Sequence, residues 1–191
     1  ASYAAMKDCD GIFFYTFEHV AADLWNTNYS PGNNGAFDMG MDPVKMAGVA
    51  ATGLLFLRSD LKPSESCINR VYSENNIIDG IREKYGDNSF FTNGFSSLIP
   101  LIEKTRISSF DKEIGDFPEI KDLQEIRSKT GEIIWHKSEE KFVEVAAPKV
   151  ESLIGFLPEK TSLLKHLSVK LRNEFAAISL VSLDNKPLAT A

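Results

Sequence analysis

The 191-residue sequence is poor in the residues that mark several common classes of protein. It contains two cysteines, Cys9 and Cys67, which are too few for a disulfide framework, and free thiols are favoured over a single disulfide bond. Its longest apolar stretches are far shorter than a membrane span, and the first residues contain no signal peptide. Because Ala1 is not an initiator Met, the missing signal does not decide localisation.

The sequence also lacks basic clusters and the short motifs of several enzyme classes. A net charge of −6, with no basic patch interleaved with aromatics, argues against a nucleic acid or a membrane as a partner. There is no GxSxG, P-loop or GxGxxG motif. His136 and His166 have no His, Cys or carboxylate partners at metal-ligand spacing, so we predict packing or surface roles for them, with no metal and no cofactor.

One stretch, residues 10–62, does carry a strong pattern. Residues 11–17 (GIFFYTF) form a continuous apolar run, which is typical of a strand buried on both faces of a parallel sheet. Asp42 and Pro43 form a helix start signal, and the apolar residues that follow keep helical spacing as far as Arg58. Residues 1–8 are typical of the end of an earlier helix. The stretch is therefore predicted to be a strand, a long loop and a helix.

The loop between strand and helix holds the candidate site residues, since sites in α/β folds are built after the carboxyl ends of strands. Glu18 follows the strand directly and has His19 beside it. A carboxylate next to aromatic side chains suits sugar chemistry; the commoner alternative is a Glu18 that faces solvent or pairs with a neighbouring loop. Trp25 is the best candidate for stacking on a substrate, with anchoring of the loop as the alternative. Asp38 is a weaker candidate, for binding a hydroxyl group or a metal.

The remainder divides into a connector and a β-rich region. Residues 61–66 are the best boundary, and residues 67–122 contain a possible strand at 67–72, a helix beginning near Ser73 and irregular acidic sequence. From Leu123 the pattern changes to short β-rich runs about ten residues apart, typical of an antiparallel sandwich or barrel. Residues 132–136 and 141–145 are predicted to form a hairpin. Trp135 is expected in the core of this region, and Arg58 and Asp60 are expected to form structural ion pairs.

Several of these segments resemble a known family when taken together. The sequence DGIFFYTFEH, a loop with a Trp, and DPVKMAGVAATGLLFLRSDL resemble the last βα unit of TIM-barrel glycoside hydrolases of the β-galactosidase and cellulase-like superfamily. The later stretch resembles the β-domain that follows such barrels. The residues that carry this second likeness are Ser128, Thr130, Gly131, Glu132 and Trp135; Pro148, Gly155 and Phe156; and Asp184, Lys186, Pro187 and Leu188.

The resemblance implies an α+β chain with three parts: residues 1–66 as the last βα unit of a (β/α)8 barrel, residues 67–122 as a mixed connector, and residues 123–191 as part of an antiparallel β-sandwich. It implies a glycoside hydrolase acting on a poly- or oligosaccharide. In such barrels the two catalytic Glu residues end the fourth and seventh strands, so both would precede Ala1. Glu18 would then be a neighbour of the sugar site rather than the nucleophile, and this chain alone would be inactive.

The resemblance makes the carbohydrate substrate and the remainder of the barrel the expected partners. The alternatives are a non-catalytic carbohydrate-binding or structural β-module with a helical extension, and a small self-contained α+β domain. The self-contained α+β domain would require residues 11–17 to pair with strands from the β-rich region.

Overall fold

The computed structural model describes residues 1–14, 17, 39–40, 42–82, 95–112, 117–118, 120, 124–138, 141–157, 160–161, 164–171 and 175–191. Within these residues the fold is mixed α+β, as the sequence predicts at this coarse level. Two helices and a five-stranded antiparallel sheet form the main body, and a small parallel unit lies between them in sequence.

The first two helices confirm the predicted helical segments. Helix α1 (Ser2–Met6) ends before Lys7, and helix α2 (Pro43–Leu57) begins after its N-cap Asp42 and ends before Arg58. Leu55 is the fully buried residue of α2 and Met6 that of α1, and both helices lie against the same face of the sheet. Of the strand predicted at residues 11–17, the described residues 11–14 and 17 belong to no helix or strand.

The connector forms a small α/β unit. Strand β1 (Cys67–Val71) is followed by helix α3 (Glu74–Arg82), helix α4 (Ile99–Ile102) and strand β2 (Lys104–Ser109). Strands β1 and β2 pair in parallel. The sequence predicted β1 and the cap at Ser73, whose hydroxyl accepts a hydrogen bond from the Asn76 amide at 3.3 Å. It missed β2, because the run around residue 104 is polar and too short to show a strand period.

The β-rich region forms one antiparallel sheet in the order β3–β4–β5–β6–β9. The strands are β3 (Glu125–Arg127), β4 (Ile133–His136), β5 (Phe142–Ala147), β6 (Val150–Phe156) and β9 (Phe175–Val181). Strands β4 and β5 pair as the predicted hairpin, with Ile133 opposite Val145. Strands β7 (Lys160–Thr161) and β8 (Val169–Lys170) form a separate two-stranded pair.

The sheet buries a different apolar cluster on each face, because side chains alternate along its strands. The first cluster joins α1, α2 and the sheet; its buried members are Met6, Leu55, Leu61, Ile133, Val145, Ala147 and Val150. The second cluster centres on Phe142, Leu153 and Leu157. Residues 164–171 cover this second face with Leu164, Leu167, Val169 and Leu171. Among the described residues, this segment therefore stands where the predicted sandwich would have placed a second full sheet.

The motifs of the β-rich region form tight turns and close backbone contacts. Gly131 has φ +74° in the turn before β4, and Gly155 has φ +135° in β6. A Cβ atom at Gly155 would lie 2.4 Å from the Lys141 carbonyl oxygen, so only glycine fits. Asn185 has φ +64° in the turn after β9, where the Asp184 carboxylate accepts the Lys186 amide at 3.1 Å. Trp135 is half-buried rather than central to the core, with the Lys137 ammonium 5.6 Å from its ring.

Candidate functional site

The two ends of the long loop meet just before helix α2. The carbonyl oxygen of Phe17 accepts hydrogen bonds from the amides of Met39 at 3.2 Å and Gly40 at 3.0 Å. A Cβ atom at Gly40 would lie 3.2 Å from both the ring and the carbonyl oxygen of Phe17, so a larger residue would crowd this contact. The chain therefore leaves at Phe17 and returns at Met39 beside the start of the helix.

Asp42 connects this loop base to α2 as the sequence predicts. Its carboxylate accepts the amides of Val44 at 2.9 Å and Lys45 at 3.0 Å, which are donors that the first helical turn leaves without a partner. The hydrogen bond from the Lys45 amide is the main reason that the pKa of Asp42 lies below its ordinary value. The cap is therefore stronger when Asp42 is ionised, and the role of Asp42 is structural.

The residues predicted to bind sugar all belong to the sequence between Phe17 and Met39. Glu18, His19, Trp25 and Asp38 lie outside the described residues, so their predicted roles stay predictions. The described residues include the two ends of this loop, Phe17 and Met39, and the helix α2 that follows the loop.

Aromatic side chains next to the loop base are unusually exposed. Phe13 is 97% exposed, and Phe14 and Phe17 are 59% and 58% exposed. Single exposed apolar residues are ordinary, but a cluster of large ones marks a surface that another element covers. The predicted strand at residues 11–17 is apolar enough for a buried position, yet the described part of the chain supplies no strand to pair with residues 11–14.

A groove of about 730 Å³ lies between this segment, α2 and the end of the sheet. Ala47, Gly48 and Ala51 form its helix side, while Ile154 and Ala177 form its sheet side. The Thr52 hydroxyl in this groove donates to the Gly48 carbonyl at 2.8 Å. No carboxylate or imidazole is among the described residues that line the groove. It therefore offers a mainly apolar contact surface, with Lys45 as the charged side chain among its described lining residues.

Buried charges at the C-terminal end of α2 attach the helix to the β-rich region. The Asp60 side chain is fully buried and contacts the Arg58 guanidinium at 2.5 Å, which confirms the predicted ion pair. Arg58 Nη1 also donates to the Ser182 carbonyl at 2.9 Å, and Lys149 Nζ lies 3.7 Å from Asp60. The sequence did not predict the contacts with Lys149 and Ser182, because both residues are distant from α2 along the chain.

Glu132 makes a second attachment that the sequence motif did not reveal. Its carboxylate, within a buried residue, accepts the Lys62 amide at 2.7 Å. Burial raises the pKa of Glu132, and the hydrogen bond from Lys62 opposes that rise. The sequence signal for this role was a glutamate directly before the apolar start of β4. Glu132 holds the start of the segment that follows α2.

The two described histidines pair with carboxylates in the β-rich region. His136 lies between Glu125 and Glu144, each 3.3 Å from one ring nitrogen, and its ring stacks on Phe142. His166 contacts the buried Glu151 at 2.8 Å. The sequence predicted packing or surface roles for both histidines and did not predict these carboxylate partners.

The described residues carry no signature of a metal site or a membrane helix, and the sequence has no recognisable relative. Within the described ranges, no group of three or more His, Cys, Asp or Glu side chains is arranged to hold a metal ion. None of the helices described for the chain is long and apolar enough to cross a membrane. No family model matches the sequence, and no curated protein or solved structure is significantly similar to it.

Proposed function

We propose that this chain is part of a glycoside hydrolase that cleaves O-glycosidic bonds in a poly- or oligosaccharide. Residues 1–66 would complete a (β/α)8 barrel, and residues 123–191 would form the β-domain that follows it. Residues 67–122 would connect the barrel to this β-domain. The sequence resemblance in residues 10–61 and 128–188 supports this proposal. The two catalytic carboxylates would come from the preceding part of the barrel, since hydrolysis requires a pair of them.

The observation that carries the proposal is an exposed apolar segment that leads into a capped helix. Phe13 and Phe14 are exposed, and the outer side of α2 exposes Val44, Met46 and Val49. In a barrel, residues 11–17 would gain a parallel strand on each side, and the neighbouring helices would cover α2. Both sets of apolar side chains would then be buried.

The loop after residue 17 would belong to the sugar site in this barrel. Glu18 and His19 would lie next to the catalytic pair and hydrogen bond to sugar hydroxyls. Trp25 would stack on a sugar ring, and Asp38 would accept a hydroxyl hydrogen bond. Met39 and Gly40, held by the Phe17 carbonyl, would set where this loop begins and ends.

The test uses the protein expressed together with its upstream coding sequence. Hydrolysis is measured on a panel of aryl glycosides and polysaccharides, and the variants Glu18→Gln and Trp25→Ala are compared with wild type. Loss of one stacking or hydrogen-bonding contact in the transition state should lower kcat/KM by about tenfold or more. Trp135→Phe, at the second tryptophan of the chain, is the matched control and should leave kcat/KM unchanged.

Two outcomes would reject this proposal. An upstream stop codon close to Ala1, or a longer protein that hydrolyses nothing on the panel, would remove the barrel interpretation. Unchanged kcat/KM in both Glu18→Gln and Trp25→Ala would remove the assignment of the sugar site while leaving the enzyme class in place.

A carbohydrate-binding β-module is the second candidate, favoured by an exposed aromatic pair. Phe156 and Phe175 lie opposite each other on β6 and β9, are 51% and 46% exposed, and have ring centroids 5.5 Å apart. Such rings could stack on a polysaccharide. Retarded migration of the 191-residue chain in polysaccharide-containing native gels, abolished by Phe175→Ala, would support this candidate over the enzyme.

A further inference from the structure

Strand β9 forms one edge of the five-stranded sheet. On its inner side it pairs with β6 in an unbroken antiparallel register, from Val150 opposite Val181 to Phe156 opposite Phe175. On its outer side, no strand of the described residues pairs with it. A row of backbone N–H and C=O groups at the edge of a sheet is a template for a further strand. The outer side of β9 is therefore a place where this sheet can be extended.

The register determines which residues of β9 present their backbone groups outward. The Ser182 amide donates to the Lys149 carbonyl at 2.9 Å, so these two residues form a hydrogen-bonded pair directly beyond the last pair of the ladder. Hydrogen-bonded and non-hydrogen-bonded pairs alternate along an antiparallel ladder. The residues whose backbone groups point away from β6 are therefore Phe175, Ala177, Ser179 and Val181. Within the described ranges, no other backbone or side-chain group bonds to the outward groups.

The two edges of the sheet differ in their protection against pairing. Natural edge strands avoid pairing by being short or by carrying charges, proline or a bulge. The opposite edge, β3, has 3 residues, and its exposed members are Glu125 and Arg127. By contrast, β9 has 7 residues, FAAISLV, and contains neither a charge nor a proline. In length and composition, β9 is an edge suited to pairing.

A second copy of β9 fits this edge. A two-fold axis at Ile178 would pair the strands antiparallel, with Phe175 opposite the second copy's Val181 and Ala177 opposite the second copy's Ser179. These are the residues with outward backbone groups, so each such pair would be hydrogen-bonded, and no like charges would lie opposite each other. Leu183, which is 87% exposed just after β9, would come near the second copy's Phe175.

We propose that the chain forms a two-fold dimer in which the β9 edges of two copies pair and join their five-stranded sheets into one. Such an interface uses the same surface of both copies, as a two-fold axis requires. Assembly would stop at two copies, because the edges left at the ends of the joined sheet are the short, charged β3 strands. The dimer does not depend on the proposed function.

Sedimentation equilibrium of the 191-residue chain over about 1–100 μM measures this association. We expect the mass to rise with concentration from the 21.2 kDa of one chain toward twice that value. Amide hydrogen exchange, read residue by residue, locates the interface. The outward amides of Ala177 and Ser179 should gain about tenfold or more in protection as the dimer forms, whereas those of Ala176 and Ile178, which face β6, should change little.

Charged variants of one exposed edge residue test the pairing. Ala177→Lys and Ala177→Glu each bring two like charges together near the two-fold axis, and each should raise the dissociation constant of the dimer by about tenfold or more. An equal mixture of the two variants should recover the dimer, because opposite charges then meet. The matched control is Ala146→Lys, at an exposed alanine of β5, a strand that is paired on both sides. It should dimerise as wild type does.

Three results would overturn the proposal. The first is a wild-type chain that stays monomeric over the whole concentration range. The second is an unchanged dissociation constant in both Ala177→Lys and Ala177→Glu, which would place any dimer interface elsewhere. The third is a mixture of these two variants that stays monomeric, which would contradict the two-fold axis at Ile178.

Discussion

At the scale of single residues, the glycines of the β-rich motifs are the most constrained positions. A Cβ atom at Gly155 would lie 2.6 Å from Phe142 Cα as well as against the Lys141 carbonyl, and φ there is +135°. We predict that Gly155→Ala destabilises the chain by roughly 3 kcal/mol or more, because backbone strain and a backbone clash add. The free energy of unfolding in urea measures this loss.

Gly131 provides the matched control for that substitution. Its φ of +74° also favours glycine, but a Cβ atom there would meet no atom within 4 Å. Gly131→Ala should therefore cost about 1 kcal/mol, from conformational strain alone. Equal losses for the two variants would contradict the close contact across β5 and β6.

Glu132 makes folding stability depend on pH at the same scale. Because burial raises its pKa in the folded protein, the folded state binds this proton more tightly than the unfolded chain. The contribution of Glu132 to stability is thus fully present below the ordinary glutamate pKa and is lost as pH rises through the raised value. We predict that Glu132→Gln, which keeps an acceptor for the Lys62 amide, reduces this loss.

Urea unfolding of wild type and Glu132→Gln across the acid-to-neutral range provides the measurement. The free energy of unfolding of Glu132→Gln should rise relative to that of wild type as pH rises. At the acidic end the two free energies should be equal. A stability difference that stays constant with pH would show that ionisation of Glu132 costs the fold nothing.

At the scale of elements, α2 depends on its N-cap. The Val44 and Lys45 amides that Asp42 accepts have no partner within the helix, and this bonding lowers the pKa of the carboxyl group. We predict that Asp42→Ala lowers the melting temperature, since water replaces the cap, whereas Asp42→Asn retains most of it. The lowered pKa means that the ionic part of the cap is present at neutral pH and is lost as pH falls through that value.

Circular dichroism melts at neutral and acidic pH check this cap. The difference in melting temperature between wild type and Asp42→Ala should be smaller at acidic pH than at neutral pH. A gap that widens there would contradict the carboxylate as the capping group.

The same elements show how far sequence alone reaches. The Asp42–Pro43 start signal and helical spacing predicted α2, and two β-rich runs predicted the β4–β5 hairpin, because both patterns are local. The strand at residues 11–17 was predicted from apolar content, but a strand also requires a neighbouring edge, and pairing is not local. For the candidate site, sequence supplied Glu18, His19, Trp25 and Asp38 as predictions that the described residues do not test.

At the scale of the whole molecule, the segment before the connector and the β-rich region share one apolar cluster and one buried set of charges. Met6 and Leu55 pack with Val145 and Val150, and Asp60 joins Arg58 to Lys149 nearby. Removing one partner of a buried ion pair leaves the other charges uncompensated, which typically costs about 3–5 kcal/mol. We predict a loss of this size for Asp60→Ala, measured by urea unfolding with probes in both parts.

The two probes turn this loss into a test of cooperation between the parts. With Trp25 replaced by Phe in every variant compared, Trp135 fluorescence reports on the sheet, and far-ultraviolet circular dichroism is weighted toward the helices. In wild type the two transitions should coincide, because the shared cluster couples α2 to the sheet.

In Asp60→Ala the helical signal should melt first, since Arg58 and Lys149 would repel each other where they now converge on Asp60. Lys186→Gln, at an exposed ion pair of the same region, should leave both transitions unchanged. Coincident transitions in Asp60→Ala with no loss of stability would mean that apolar packing alone holds α2 on the sheet.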